Sequence, residues 1–396
     1  MESGILNLPL DHDYSKRQRR IAALVNYFCL GLCFATWASR IPDIKATLGL
    51  SDSELGSILF ALPIGQFVTM PISGRLAAKY GSKKILRIAL ALYAIELTNL
   101  ALAQYGWQLA LGLFIFGIIG NMSNISVNTQ GVAVEKLYAP KPIMASFHGA
   151  WSLAGCTGAV TGLIMIAFNV KPHTHFCIVA VLVIIAELLS NKYLVSGAIA
   201  GDTGTAEKKK LFSRPESILI QLGIIAFCSM ASEGAMFDWS GVYFKDVVKA
   251  EGPMVALGYV IFMATMATGR FIGDRMIAVI GRKRLLQISG ILTSCGLFTA
   301  VLFPYVIPAT IGFLLVGFGV SSVIPITYSL GGRLSKVSPS MALATISSVG
   351  YLGFLMGPPM IGYIAHVAGL RYSYALIGIF GFCIAFIVTK LKVVEK

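Results

Sequence analysis

The sequence predicts an all-α polytopic membrane protein of twelve transmembrane helices in two pseudo-symmetric six-helix halves. Three observations predict it: an apolar composition, a succession of span-length apolar runs, and a glycine register that recurs half-way along the chain. Of 396 residues, 56% are hydrophobic and only 13% are charged, with a mean hydropathy of +0.77. Soluble domains carry about 25% charged residues, so this composition excludes them.

Apolar runs of about 20 residues, the length that crosses a bilayer, lie near 21–39, 53–73, 85–104, 107–133, 142–167 and 175–192. A second series lies near 217–242, 254–273, 285–303, 307–331, 341–365 and 373–391. The chain therefore divides into a cytoplasmic tail (1–20), a six-helix bundle (21–195), a cytoplasmic central loop (196–216) and a second bundle with a short cytoplasmic tail (217–396). The first twenty residues are polar and no small-residue cleavage site follows the first run, so that run is read as a retained span.

The net charge of +14 is dispersed over alternate loops, which argues against a nucleic-acid surface. With the N-terminus inside, 26 of the 32 Lys and Arg fall in inner segments, and Arg40, Lys45, Lys171, Lys245, Lys249 and Arg371 form the outer set. This positive-inside asymmetry places both termini in the cytoplasm of a multi-pass protein of the cytoplasmic (inner) membrane. The seven cysteines lie in predicted spans without a CxxC pair, so core packing is expected of them and not metal or disulfide use, and no cofactor is expected.

Sliding the chain against itself by about 200 residues reveals an internal repeat. Gly81 meets Gly281, Lys83 meets Lys283, Leu86 meets Leu286, Gly112 meets Gly312, Gly117 meets Gly317, Gly131 meets Gly331 and Gly162 meets Gly362. With a five-residue slip, Gly74-Arg75-Leu76 also meets Gly269-Arg270-Phe271. Two halves related by an axis normal to the membrane place a solute site between them, near the midplane.

The stretch Gly74-Arg75-Leu76-Ala77-Ala78-Lys79-Tyr80-Gly81-Ser82-Lys83-Lys84 resembles the loop between spans two and three of the major facilitator superfamily. That loop reads Gly-x-Leu-Ala-Asp-Arg-x-Gly-Arg-Lys-Lys or similar; here Ala78 stands at the acidic position, whereas the second copy keeps Asp274. Further stretches, Asn128 to Glu135, Ser146 to Leu153, Glu233-Gly234 with Asp238-Trp239, and Gly353 to Pro359, resemble the branch containing the MosC and YbjJ inner-membrane proteins, distantly akin to fucose permease. The resemblance covers essentially the whole chain. It implies the major facilitator fold, a cavity lined by spans one, four, seven and ten with five, eight, two and eleven beside them, and transport of a small-molecule solute by a monomer.

Carboxylates inside apolar runs carry the functional reading, because an ionisable group at the bilayer centre costs roughly 2.5 to 3.5 kcal/mol on insertion scales. Glu233 and Asp238 stand in the first span of the second half. A helix entering at Ser217 brings Glu233 about 24 Å in, past the middle of a core of roughly 30 Å. It is expected to carry the coupling proton; the alternative is a structural hydrogen bond to a neighbouring span. Asp238 points about 140° away on a regular helix, unless the chain unwinds at Gly234. It is expected either to meet Arg40 when the outer mouth closes or to cap a loop, and with His148 it completes the proton-coupling candidates.

Asn121, Asn124 and Asn128 are spaced three and four apart on one helical face, where amides suit hydroxyl-bearing solutes or bond to neighbouring helices. His148 and Trp151 lie one turn apart, a donor beside an aromatic, which suits a sugar-like ring. Trp151 as packing and His148 as a titrating group of an inner vestibule are equally open. Asn26, Tyr328 and Tyr351 complete the substrate-binding candidates. Gating is expected at Arg40 on the outer side and at Gly74, Arg75, Gly81, Lys83, Asp274 and Arg275 on the inner side. Because Ala78 is not acidic, inner closure should lean on Asp274, with Glu135 paired to Arg75 or Lys79. Glu96 and Glu187 sit on peripheral spans.

The expected function is secondary active transport of a small polar organic solute, sugar-, polyol- or amino-sugar-like, by alternating access with proton-coupled import. Proton-antiport export of drugs or metabolites is the alternative; exporters of this superfamily resemble one another in a Gly-Pro signature on span five, and Gly149 to Gly162 contains no proline. No Walker-type cradle, metal-spaced His and Cys set or Ser, His and Asp arrangement is evident, so the chain is not expected to be an enzyme.

Overall fold

The structure, a computed structural model, describes residues 14–138, 143–196, 216–334 and 339–391. The first half holds α1 (Lys16–Ser39), the short α2 (Ile41–Leu48), α3 (Asp52–Leu59), α4 (Ala61–Tyr80), α5 (Ser82–Leu100), α6 (Gly106–Lys136), α7 (Met144–Ala167) and α8 (Pro172–Asn191). The second holds α9 (Ser217–Asp246), a 3-10 turn at Gly252–Ala256, α10 (Leu257–Ile280), α11 (Arg282–Leu302), α12 (Val306–Ser321), α13 (Val323–Leu334), α14 (Pro339–Ala368) and α15 (Leu370–Lys390). Among the described residues, ten helices or helix pairs are long and apolar enough to cross a membrane. With α5, which carries Lys83, Lys84, Arg87 and Glu96, and α14, each half has six long units.

Local sequence explains where these helices start and stop. Ser15 with Gln18 and Ser51 with Glu54 form capping boxes that satisfy the first amides of α1 and α3. Prolines open α2 and α8, where a missing amide costs nothing. The second predicted span is divided between α3 and α4 at Phe60, and the tenth between α12 and α13 at Ser322. Helix α2 forms between the first two predicted spans and packs on α9. Most of the tail and central-loop readings (1–20, 196–216) lie outside the described residues.

The repeat seen in the sequence is a repeat of contacts. Helices α4 and α10 both stop at a glycine in the left-handed φ range, Gly81 at 86° and Gly281 at 80°, a conformation that side chains disfavour. Two residues on, Lys83 donates to the Lys192 carbonyl at 3.3 Å and Lys283 to the Leu391 carbonyl at 2.8 Å, tying the starts of α5 and α11 to the chain beyond α8 and α15. Gly117 packs on the Leu62 carbonyl and Gly317 on that of Phe262, so α6 and α12 approach their neighbours backbone to backbone in matching register.

The two halves join at the end of the molecule away from the termini. There α14 packs along α3, with little contact to α4, and α2 packs on α9, while α7 follows α10 from Gly155 beside Met263 down to Gly149 beside Phe271. Toward the terminal end α4 and α14 make little contact, and Asn124 and His148 of the first half stay exposed, so the space between the halves there is treated as a cleft. Outward surfaces remain apolar, with Leu189, Phe386 and Ile307 all largely exposed, as a lipid-facing surface requires.

Candidate functional site

The centre of the cleft is an ion pair. Arg270, on α10, donates from Nη2 to Oε1 of Glu233 on α9 at 2.9 Å. Its Nη1 donates to Oγ of Ser152 on α7, in the other half, at 3.0 Å. The guanidinium also lies over the Trp151 ring, 5.9 Å from its centroid. One cation thus bridges both halves at mid-membrane depth, and its side chain is 28% exposed against 12% for Glu233. The charge count from sequence assigned Arg270 to the inner loops; the structure places it inside α10, ten residues before the helix ends at Ile280.

An aromatic cluster closes the space beside this pair. Phe237 on α9 contacts Phe34 of α1 and Trp151 of α7 from the first half, at ring separations of 5.5 and 6.3 Å. It also contacts Phe262 of α10 and Phe354 of α14, at 5.7 and 6.4 Å. Phe237 is buried, so the cleft ends at these rings.

A polar wall runs along α1, α6 and α7. The Tyr27 hydroxyl donates to Oδ1 of Asn128 at 2.9 Å, and the Asn128 amide donates to Oδ1 of Asn124 at 3.0 Å. The His148 ring stands edge-on to Tyr27 at 5.7 Å. Asn124 and His148 are exposed. Because His148, Trp151 and Ser152 follow one helical face, the ring that reaches Tyr27 and the groups that reach Arg270 belong to one surface.

Other candidate residues fall elsewhere. Asn26 was expected in the cavity but is fully buried, donating to Ser190 at 3.0 Å and so tying α1 to α8. Asn121 accepts from Ser73 of α4 at 2.8 Å, the helix-bonding alternative. The Tyr328 hydroxyl accepts from Ser347 at 2.9 Å within the second half. Tyr351 crosses between halves, donating to the Pro63 carbonyl at 2.9 Å and to Gln66 at 3.1 Å. Helix α9 is continuous through Gly234, so Asp238 does turn away from Glu233. It comes within electrostatic reach of Tyr259 and Tyr374 of its own half.

The expected Arg40 to Asp238 contact is not formed. Arg40 is buried against Asp43 at 2.9 Å and donates to the Val170 carbonyl, all within the first half. The far end is closed instead by Lys45 of α2, bonded to Asp52 at 2.6 Å and to Asp246 at the end of α9 at 2.5 Å. Burial favours the neutral amine, yet the two carboxylates outweigh it and raise the Lys45 pKa above the ordinary lysine value.

At the other end, Glu135 is not paired with Arg75 or Lys79. Its Oε2 accepts the Ile143 and Met144 amides at 2.8 and 2.5 Å, holding the start of α7, where the helix dipole favours an anion. Gly74, Arg75 and Arg275 are exposed, Lys83 braces the α8 end, and the side chain of Asp274 lies outside the described residues. Glu96 and Glu187 accept from Asn99 and Asn191 within their own helices. Sequence reasoning missed Arg270 as a site residue, although the aligned Arg75 and Arg270 carried the signal.

Two pseudo-symmetric six-helix halves around a polar cleft define a multi-pass membrane transporter of the secondary type. The family model of the Major Facilitator Superfamily matches residues 23–338 and, again, 224–396. The chain belongs to that superfamily of transporters and is not an enzyme. It is 32% identical to an uncharacterised MFS-type transporter of Yersinia pestis, over 91% of this chain and 92% of the relative. It is 30% identical to the membrane protein MosC of Rhizobium meliloti, over 92% of this chain and 88% of the relative. Its fold matches the crystal structure of a D-xylose-proton symporter with a TM-score of 0.75 at 17% identity, covering 94% of this chain and 97% of that one.

Proposed function

We propose that the protein imports a small polar organic solute, coupled to protons through Glu233. It does so as a monomer in the cytoplasmic membrane with both termini inside. The observation that carries this reading is the Glu233 and Arg270 pair within the cleft, at the seam of the halves. Protonating that carboxylate breaks its bond to a cation that the first half also holds through Ser152, and releasing the proton restores it. The exchange of a proton is thereby tied to the fit between halves. Asn124, Asn128 and His148 supply donors and acceptors for the solute, and Trp151 supplies a flat apolar face. Basic loops at the terminal end support the cytoplasmic orientation.

The test compares wild type with Glu233→Gln in vesicles, measuring gradient-driven accumulation and solute exchange separately. Accumulation should disappear while exchange persists. Accumulation at the wild-type level in the variant would refute the assignment. A second reading, export of drugs or metabolites by proton antiport, is supported by a 24% identity, over 87% of this chain, to a protein of Lactococcus lactis named as a multi-drug resistance efflux pump homolog. In that case, an inward-directed proton gradient would drive solute out of right-side-out vesicles.

A further inference from the structure

We propose that the solute is an organic acid whose carboxylate takes the place of the Glu233 carboxylate on Arg270 when Glu233 is protonated. This rests on the reading of Glu233 as the coupling group and adds to it the class of solute. Four observations carry it. Arg270 lies within a span, between Phe262 and the end of α10, where a permanent cation needs a counter-charge. Its guanidinium cannot lose its proton, so protonating Glu233 leaves the positive charge in place without its partner. More of Arg270 than of Glu233 is exposed, so it is the cation that faces the cleft. Finally, a guanidinium presents five donors in a plane, and the two hydrogen bonds it makes to Glu233 and Ser152 leave others for an incoming carboxylate.

Charge balance then sets the coupling. With Glu233 ionised and no solute, the site is neutral. A proton alone leaves it at plus one, and an anion alone leaves it at minus one. Proton and anion together restore neutrality, so the two forms suited to crossing in a water-excluded state are the empty one and the doubly loaded one. The proton enters from the outer water, resides on a carboxylate oxygen of Glu233, and leaves to the inner water when Arg270 returns to Glu233. No other bond is made or broken. Around the carboxylate, Trp151 would cover an apolar face of the solute, while Asn124, Asn128 and His148 would meet its hydroxyls. Those contacts describe a hydroxylated acid and not a hydrocarbon one.

The experiment uses the full chain in proteoliposomes and two matched probe pools: D-glucose, D-galactose and D-glucitol against D-glucuronate, D-galacturonate and D-gluconate. Thermal stabilisation of the purified chain at pH 5.5 and 7.5 identifies the binding pool, and uptake of its members follows under an inward proton gradient. The expected result is stabilisation by an acid, tighter at pH 5.5 than at pH 7.5, and an initial uptake rate unchanged when a valinomycin-set potential is imposed. Arg270→Gln should lose acid binding at least a hundredfold, and Arg270→Lys should retain part of it. The ratio of acid to neutral binding in the Lys variant keeps the test valid where the Gln variant fails to fold. Binding confined to the neutral pool, binding by neither pool, or uptake of an acid accelerated by a negative interior would each overturn the proposal. If a neutral probe accumulates and Glu233→Gln abolishes it, the coupling reading stands and the acid reading falls. If an acid is taken up independently of protons and of Glu233, both fall.

Discussion

At the residue scale, two side chains read differently in space than in sequence. Glu135 sits beside a run of basic loop residues, and a surface ion pair with Arg75 or Lys79 was the natural expectation. The α7 amides win because a helix start leaves unpaired donors that a carboxylate satisfies without the entropy cost of ordering a long lysine or arginine. Tyr27 was not singled out, being one aromatic among many in a buried span. Yet its hydroxyl orients the Asn128 amide, and its ring supports His148. Tyr27→Phe should raise the solute KM about fivefold, the equivalent of losing a hydrogen bond of about 1 kcal/mol, with maximal rate retained. Concentration-dependent uptake measures this; a change confined to maximal rate would mean that Tyr27 serves helix motion instead of the polar wall.

At the element scale, the decisive contact is that of α3 with α14. Gly56 and Gly362 bring the two backbones together, and Pro358 and Pro359 lie one turn away in α14, where their missing amides make a bend easy. A Cβ on Gly362 would come within 2.8 Å of the Gly56 Cα. Gly362→Val should therefore keep the far end from closing, at a cost of about 1 to 3 kcal/mol, which shifts the balance of states roughly 5- to 150-fold. A cysteine placed at Leu55, buried on α3 next to Gly56, reports the change. Its labelling from the outer side should rise in the valine variant, and unchanged labelling would show that α3 and α14 yield without opening. Helix α2 supports this closure through Lys45, and Pro42 of the same helix packs against Gly241.

At the scale of the whole molecule, closure at one end and separation at the other define an inward-facing arrangement, given the orientation proposed above. The ion pair, the polar wall and Tyr351 lie where the halves begin to part. Asn124→Cys, in a chain freed of its seven native cysteines, should react with a membrane-impermeant maleimide applied from the terminal side at least tenfold faster than from the far side. Equal rates from both sides would contradict this arrangement. The reverse preference would invert the orientation.

Periodicity and composition determined most of the fold. Spans of about 20 apolar residues have few alternatives in a bilayer, because an unpaired backbone is intolerable there, and the recurring glycines marked close helix contacts that a repeat must reproduce. Glu233 was also legible as a candidate, since an isolated carboxylate in an apolar run stands out in one dimension. Partnership was not. Arg270 meets Glu233 across 37 positions and Ser152 across 118, and Lys45 meets Asp246 across 201. Such pairings depend on how helices lie against one another, which side-chain packing decides and local sequence does not encode. For the same reason Asn26, Asn121 and Asn128 look alike along the chain, while the tertiary structure directs one to α8, one to α4 and one to Tyr27 beside the cleft.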